Sequence, residues 1–166
     1  KEILLSLIYC HKNRIWHRDL KPENFMLSKN GDDIFVKLID FGLSRSFYKM
    51  EPTGKDALLR MKTKVGTAFF MAPEVIRKDY SNSCDMWSAG WILYVMLSGY
   101  PPFDGETEKE IYEAIEKINF DFDDDIWLDV SDEAKMFISK LLWPEEHRMS
   151  AKQALKHPWI KNNVEK

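Results

Sequence analysis

Three polar residues with complementary chemistry lie close together near the start of the chain: the acid Asp19, the amine Lys21 and the amide Asn24. An apolar run follows them, and a second acid, Asp40, follows the next apolar run. If these runs form two short strands, the strands would hold the polar groups at one cleft. Asp19 could there accept the proton of an attacking hydroxyl, while Asn24 and Asp40 could hold Mg²⁺ against a triphosphate. The pattern predicts transfer of a phosphoryl group.

The same residues belong to two sequence motifs, His-Arg-Asp-Leu-Lys-Pro-Glu-Asn at 17–24 and Asp-Phe-Gly at 40–42. Either motif alone could be a solvated turn, but the two in this order, each beside an expected strand, are specific. With both motifs present, the chain resembles the C-terminal lobe of a protein kinase. The Lys-Pro-Glu-Asn portion is the serine/threonine form, so the resemblance implies that the phosphate acceptor is a Ser or Thr hydroxyl of a protein or peptide.

The resemblance implies one kinase domain over residues 1–166, mainly α-helical, in which a helical bundle carries a small β-hairpin with the catalytic and metal-binding loops. Its parts would be a catalytic loop at 17–24, an activation segment at 40–74 and a helical subdomain at 84–160. The sequence contains no GxGxxG loop, strand lysine or helix-borne glutamate of the N-terminal lobe. We therefore expect that lobe to be absent and the isolated chain to be an inactive fragment of an enzyme.

The resemblance also implies the cofactors ATP and Mg²⁺ in the cleft. Lys21 would neutralise the γ-phosphate, and the Thr67 hydroxyl would bridge Asp19 and Lys21. Met26 matches the residue that lies beneath the adenine ring, a role that is compatible with a place in the core. Ile39, directly before the metal-binding aspartate, completes the nucleotide-binding set.

Other motif positions imply a structural frame. Glu74 and Arg148 resemble the buried ion pair that anchors the activation segment to the helical lobe. The sequence before Arg148 departs from the kinase pattern, because Trp-Pro-Glu-Glu-His stands at 143–147 where Asp-Pro is usual. Asp85 would accept hydrogen bonds from the backbone of the catalytic loop. The remaining residues with implied structural roles are His17 and Phe41.

Substrate choice and regulation have candidate residues as well. Glu23 occupies the position that contacts a basic residue upstream of the phosphorylated Ser or Thr, although it could merely hydrogen-bond within its own loop. Thr63 lies three residues before Gly66, where many kinases accept an activating phosphate. Arg18 and Arg45 would bind that phosphate. The alternative is that Thr63 is never modified and that calcium alone controls the enzyme.

Three later stretches, at 93–103, 131–135 and 150–160, resemble the calcium/calmodulin-dependent group of kinases. Within that group, Asn-Phe at 24–25 together with residues 98–105 most resembles the calcium-dependent protein kinases of plants and protozoa. These kinases carry a calmodulin-like domain after the kinase domain. Calcium would therefore act only through a regulatory domain outside this chain, and whether that domain acts in cis or in trans stays open.

An acidic run at 120–126 invites comparison with a calcium-binding EF-hand loop, since Asp121, Asp123 and Asp125 have its first three spacings. Ile126 stands where such a loop needs glycine, and Asp132 rather than glutamate stands at its closing position. The run is better interpreted as a solvated face or a surface that binds a partner.

Two rival functions fit parts of the pattern. A pseudokinase scaffold usually lacks a catalytic residue, but this chain has all four: Asp19, Lys21, Asn24 and Asp40. The protein could then be a pseudokinase only if its N-terminal lobe lacked the ATP-binding lysine. A small-molecule kinase with a related cleft is disfavoured by Ala-Pro-Glu at 72–74 and the helices beyond it, which would build a platform for a protein substrate.

Composition limits the partners and the cellular location that the chain could have. A formal net charge of −3 and a pI near 5.8 argue against general nucleic-acid binding. The sequence has no apolar run long enough for a transmembrane segment and no visible signal sequence. Cys10 and Cys84 lack metal-binding spacing, so they are interpreted as buried thiols in a reducing compartment. The expected location is the cytoplasm, with membrane attachment through an N-terminal modification outside this chain left open.

The catalytic groups need a rigid frame, which the spacing of apolar residues partly predicts. Ile3, Leu4 and Leu7 recur at helical spacing, so a helix should end near His11. The apolar runs on either side of Asn-Gly at 30–31 predict a β-hairpin. Beyond the hairpin, residues 44–64 have no sustained period, which predicts a mobile loop with one helical turn near 56–61.

Helices should make up the rest of the chain. Residues 92–97 are apolar on nearly every side, which predicts a buried helix that ends at Gly99. The helix could by itself be a membrane segment, but its short length and the nearby Asp85 argue against that interpretation. Side-chain caps predict three later helices: Thr107 before 108–117, Ser131 before 132–143 and Ser150 before 151–156.

Overall fold

A computed structural model describes residues 1–31, 33–46 and 60–164. Within these residues the α-helices are α1 Glu2–Lys12, α2 Pro73–Ile76, α3 Ser83–Ser98, α4 Glu108–Lys117, α5 Asp132–Leu141, α6 Ala151–Leu155 and α7 Pro158–Val164. The strands are β1 Ile15–Trp16, β2 Phe25–Asn30, β3 Asp33–Leu38 and β4 Arg45–Ser46. The prediction of a mainly helical lobe with a small hairpin is confirmed.

The predicted hairpin is formed by β2 and β3, which pair antiparallel from Phe25↔Leu38 to Asn30↔Asp33. Gly31 begins its turn with a φ of +63°, a left-handed conformation that glycine adopts without steric penalty. Beyond the ladder, the Ile39 N–H donates to the Asn24 carbonyl at 2.9 Å. This bond brings the end of the predicted catalytic loop, residues 17–24, alongside the residue before Asp40.

Helix α3 lies at the centre of the lobe, and its first ten residues except Ser83 are all buried. At Gly90 a Cβ atom would lie 2.7 Å from the Cβ of Leu141, so glycine permits α3 to approach α5 closely. The helix ends at Gly99, whose φ of +82° is the left-handed cap that the sequence predicts. Two apolar clusters pack around α3, one centred on Trp87, Tyr94 and Trp127 and the other on Leu4, Leu20 and Phe137.

The three predicted N-terminal caps are present: Thr107, Ser131 and Ser150 each accept a hydrogen bond from a backbone N–H of the following helix. The predicted C-terminal ends are slightly wrong. Helix α5 ends at Leu141 rather than at 143, because Pro144 disfavours helical backbone in the residue before it. Helix α6 ends at Leu155 rather than at 156, and Pro158 then starts α7, which the sequence analysis missed.

The predicted helical turn near 56–61 falls mostly outside the described residues. Of that stretch the structure describes Arg60 and Met61, and Met61 is not helical. It forms an antiparallel bridge with Tyr80, in which the Met61 N–H donates to the Tyr80 carbonyl at 2.8 Å and the Tyr80 N–H donates back at 3.2 Å.

Among the described residues, no helix combines the length and the apolar character that crossing a membrane requires.

Candidate functional site

The buried carboxylate of Asp85, at the start of α3, fixes the backbone of the catalytic loop. Its Oδ2 accepts from the His17 N–H at 3.0 Å, and its Oδ1 accepts from the Arg18 N–H at 2.8 Å. His11 Nε2 on α1 also donates to Oδ2, at 2.8 Å. Burial by itself raises the pKa of Asp85, but these donors outweigh it and lower the pKa below its ordinary value. The aspartate is therefore ionised, and it makes the predicted hydrogen bonds with the backbone of the loop.

Asp19 is held on both carboxylate oxygens. Oδ1 accepts from the Thr67 N–H at 3.0 Å and from the Thr67 hydroxyl at 2.9 Å. Oδ2 lies 2.9 Å from Lys21 Nζ, which also donates to Thr67 Oγ1 at 3.3 Å. The Thr67 hydroxyl thus bridges Asp19 and Lys21, as the resemblance to kinases implied.

The charges of this group stabilise one another. Burial raises the pKa of Asp19, yet the hydrogen bonds from Lys21 and Thr67 lower it below the ordinary value overall. The hydrogen bond to Asp19 raises the pKa of Lys21. At neutral pH the site therefore holds a carboxylate beside an ammonium group.

Asn24 and Asp40 are the predicted metal ligands, and their donor atoms fit Mg²⁺. The Asn24 Nδ2 donates to the Asp19 carbonyl at 2.8 Å, so the amide oxygen is the atom of this side chain that could bind a metal ion. Asp40 is exposed, and one of its oxygens accepts from the Gly42 N–H at 3.0 Å. Mg²⁺ typically takes one or two protein oxygens and completes its shell with substrate phosphates and water.

No cluster of three or more His, Cys, Asp or Glu side chains suited to a metal ion occurs in the described part of the chain. The acidic run that includes Asp121, Asp123 and Asp125 therefore offers no such cluster. The predicted ligands Asn24 and Asp40 are unaffected, because they rely on an amide, a carboxylate and phosphate oxygens.

The loop that carries Asp40 is anchored through His17. The ring nitrogen Nε2 of this buried histidine donates to the Ile39 carbonyl at 3.1 Å, and the ring contacts Phe41 edge-on with 4.9 Å between centroids. Asp40 itself has a φ of +56°, which is uncommon for a residue other than glycine. Met26 on β2 is exposed, with 52% of its surface accessible, so the structure does not place it in the core.

Arg18 links the catalytic loop to the activation segment. Its guanidinium donates to the Leu43 carbonyl at 2.8 Å, to the Tyr80 hydroxyl at 3.3 Å and to the Thr63 hydroxyl at 3.5 Å. The structure therefore places Thr63 beside Arg18, one of the two arginines predicted to lie near it. Arg45 lies exposed on β4 opposite Trp16, and in the ranges that the structure describes no hydrogen bond or ion pair joins it to Thr63.

Gly66 permits the activation segment to pass close to this loop. With a φ of +113°, it lies so near the catalytic loop that a Cβ atom would be 2.6 Å from the Arg18 carbonyl oxygen. A side chain at this position would displace the backbone that precedes Asp19. The glycine therefore permits the approach that lets Thr67 reach Asp19.

Glu74 and Arg148 form the predicted ion pair, in spite of the unusual sequence before the arginine. The two terminal nitrogens of the guanidinium, Nη1 and Nη2, contact the carboxylate, with 3.0 Å from Nη2 to Oε2. Arg148 also donates to the carbonyls of Ser83 and Trp143, each at 3.0 Å. Both residues are buried, so the pair is shielded from water.

The sequence analysis missed a second set of contacts between the activation segment and the helical lobe. Arg60 pairs with Asp79 and with Glu145, and Glu145 also accepts from Ser81. The alternation of Arg60, Met61 and Lys62 could have indicated an extended stretch with two basic side chains on one face. No sequence feature identified the acids that pair with these basic side chains.

Glu23, the predicted substrate contact, is exposed in the loop at 17–24.

Comparison with known proteins identifies the family of this chain. The family model for the protein kinase domain matches residues 1–160. The chain therefore belongs to the protein kinase family. It is 45% identical over 163 residues to calcium-dependent protein kinase 4 of Plasmodium falciparum (isolate 3D7), an alignment that covers 97% of this chain and 29% of the relative. It is also 45% identical over 163 residues to calcium-dependent protein kinase 14 of Arabidopsis thaliana, covering 98% of this chain and 29% of the relative.

The predicted resemblance to calcium-dependent protein kinases is confirmed by these alignments. A third relative, calcium-dependent protein kinase 13 of Oryza sativa subsp. japonica, is 45% identical over 155 residues, which are 93% of this chain and 27% of that protein. The chain thus spans less than a third of the length of these three relatives.

Proposed function

We propose that the chain is the catalytic lobe of a serine/threonine protein kinase, which transfers the γ-phosphoryl group of ATP·Mg²⁺ to Ser or Thr hydroxyls of protein substrates. The observation that carries this proposal is the contact of Asp19 with Lys21 and Thr67 at the centre of a catalytic loop. The glycine-rich loop and the lysine for the α- and β-phosphates would come from residues outside the 166 of this chain.

The geometry suits a reaction that depends on position more than on strong basicity. In phosphoryl transfer the transition state is loose, so the protein mainly aligns the nucleophile and stabilises charge. Thr67 and Lys21 orient the ionised Asp19 carboxylate so that it can accept a hydrogen bond, and then the proton, from the attacking hydroxyl. Lys21 lies beside it to meet the charge of the transferred group. Bound Mg²⁺ would neutralise phosphate charge, and Asn24 and Asp40 are the residues that would hold it.

An exposed apolar surface on the hairpin supports the presence of a covering lobe. Leu27 is 70% exposed and Ile34 is 54% exposed, although both belong to paired strands. Exposed apolar groups that lie together mark a binding surface. A segment packed here would cover them, while Met26, next to Leu27 and 52% exposed, lies on the opposite face of the hairpin and would be free to contact an adenine ring.

The first test is phosphotransfer by the full-length kinase that carries this chain. We expect it to phosphorylate serine and threonine peptides that carry an arginine upstream, because exposed Glu23 offers that arginine a carboxylate. A matched tyrosine peptide and a peptide with aspartate in place of the arginine are the controls. The transfer of labelled phosphate from ATP to each peptide would be measured once with Ca²⁺ and once with a calcium chelator. We expect the chelator to suppress the transfer. Transfer to tyrosine, or a preference for the acidic peptide, would contradict the proposed specificity.

Calcium control rests on the relatives, which are named as calcium-dependent protein kinases. We propose that a calmodulin-like domain outside this chain applies that control, either in cis or in trans.

Cys10 and Cys84 are both free and buried thiols, which is consistent with a reducing compartment and supports a cytoplasmic location. A chelator that leaves activity unchanged would contradict calcium control, and a fluorescent fusion of the full-length kinase would test the location.

Phosphorylation of Thr63 is expected to raise activity. The Thr63 hydroxyl already lies 3.5 Å from Arg18 Nη1, and a phosphate there would add about 1.5 to 2 negative charges and strong charge-assisted hydrogen bonds. Mass spectrometry of the active full-length kinase would detect the modification, and kinetics of Thr63→Ala and Thr63→Asp beside wild type would show its effect. A fully active enzyme with unmodified Thr63 and an unimpaired alanine variant would eliminate this switch.

A further inference from the structure

Residues 60–62 of the activation segment are fastened to the segment that leads into α3. Met61 and Tyr80 exchange two backbone hydrogen bonds, of 2.8 and 3.2 Å. On either side of Met61 a basic side chain turns to Asp79. Arg60 Nε lies 2.5 Å and Lys62 Nζ 2.9 Å from Asp79 Oδ1. A two-residue bridge is weak by itself, so the side chains must contribute to its stability.

Glu145, from a later part of the chain, binds the same arginine. Its Oε2 accepts from Arg60 Nη2 at 2.8 Å, and its Oε1 accepts from the Ser81 N–H at 3.0 Å and the Ser81 hydroxyl at 2.5 Å. The side chain is only 17% exposed. Burial raises the pKa of Glu145, but the hydrogen bonds from Ser81 and Arg60 lower it overall, so the carboxylate is ionised at neutral pH.

These contacts lead directly to the catalytic loop. Tyr80, the partner of Met61, is fully buried, and its hydroxyl accepts a hydrogen bond from Arg18 at 3.3 Å. Arg18 precedes Asp19 and has a φ of +69°, a left-handed conformation that the surrounding structure must maintain. Holding Tyr80 in place therefore helps to hold the backbone next to Asp19.

We propose that Glu145 is a positioning residue which, with Arg60 and Asp79, forms a latch that holds residues 60–62 against Tyr80 and thereby keeps Arg18 and Asp19 in place. The latch orders this part of the activation segment without any phosphate. Glu145 stands where the sequence departs from the Asp-Pro pattern of kinases, and the latch gives that departure a role. The effect on catalysis rests on the proposed kinase function. The contacts of Arg60 with Glu145 and Asp79 can be tested without measuring kinase activity.

Two variants of the full-length kinase test the latch: Glu145→Gln, which removes the charge and keeps the size, and Arg60→Met, which alters a partly exposed side chain. A charge-assisted hydrogen bond of this kind is worth about tenfold in an equilibrium constant. We expect hydrogen exchange of the Met61 and Tyr80 amides to accelerate by about this factor in both variants. Arg77→Met is the matched control, because it removes an ion pair with Glu116 that has no link to Tyr80.

Kinetics then separate positioning from mere stability. We expect kcat for a basic peptide to fall by about tenfold in Glu145→Gln and Arg60→Met, with an unchanged KM for ATP. Arg60→Lys, which keeps the charge, should lose less of kcat than Arg60→Met. The double variant Glu145→Gln with Arg60→Met should have a kcat little below that of either single variant. The same comparison in a Thr63→Ala background should give the same loss, because the latch needs no phosphate.

Unchanged exchange of both amides in Glu145→Gln and Arg60→Met would overturn the latch. Accelerated exchange with an unchanged kcat would overturn its positioning role. A wild-type enzyme without phosphotransfer would refute the proposed function instead, and the exchange measurement would still decide whether the latch exists.

Discussion

Replacing Asp19 with asparagine in the full-length kinase is expected to lower kcat by about 10²- to 10⁴-fold, the usual loss when a general base is removed. The affinity for ATP should stay close to wild type, because the Asp19 side chain is held by Lys21 and Thr67 and is assigned to the hydroxyl of the substrate. Steady-state kinetics with a serine peptide and titration with a fluorescent ATP analogue would measure both quantities.

The matching variant Asp40→Asn should fail at a different step. Asp40 is exposed at the cleft and is assigned to Mg²⁺, so its loss should abolish Mg²⁺-dependent nucleotide binding. Asp104→Asn is a suitable control, since Asp104 is also exposed and also accepts from a nearby backbone N–H, that of Gly105 at 2.8 Å. If Asp19→Asn and Asp40→Asn behaved alike in the nucleotide titration, the division of roles between them would be wrong.

The parts of the site that could be predicted from the sequence are those set by local motifs. Asp19, Lys21 and Asn24 lie within one loop, and the hairpin that follows it depends on an Asn-Gly turn and two apolar runs. The contact of Thr67 with Asp19 spans 48 residues, and only the resemblance to kinases indicated it. Motif and resemblance together were enough to describe the group around Asp19.

Features that depend on distant partners with no motif could not be predicted. Arg60 lies 85 residues before Glu145, and each contributes one charge among many on this surface. The ends of α5 and α6 were misplaced by one or two residues, because helical periodicity continues up to a proline that in fact stops the helix earlier. Met26 was interpreted as compatible with the core, yet it is exposed, because the neighbouring Phe25 packs against the core and successive strand residues point to opposite faces.

Removing the charge of Glu74 is expected to destabilise the protein most among stability variants, by about 3–5 kcal/mol for Glu74→Gln. The cause is not the lost attraction alone, since Arg148 would remain buried without a counter-charge. The side chain of Arg148 has 0% exposure, and the carbonyls of Ser83 and Trp143 can only partly replace a carboxylate. The segment that ends at Ala-Pro-Glu would lose its link to the helical lobe at the same time.

The size of this effect distinguishes a buried pair from a surface pair. Arg77→Met, which removes the exposed pair with Glu116, should change the free energy of unfolding by less than about 1 kcal/mol. The double variant Glu74→Gln with Arg148→Met should be less destabilised than the sum of its two single variants, because neither charge is left buried alone. Urea unfolding of the full-length kinase, followed by tryptophan fluorescence, would measure all of these variants. Equal losses for the Glu74 and Arg77 variants would show that the buried pair has no special role in anchoring the activation segment.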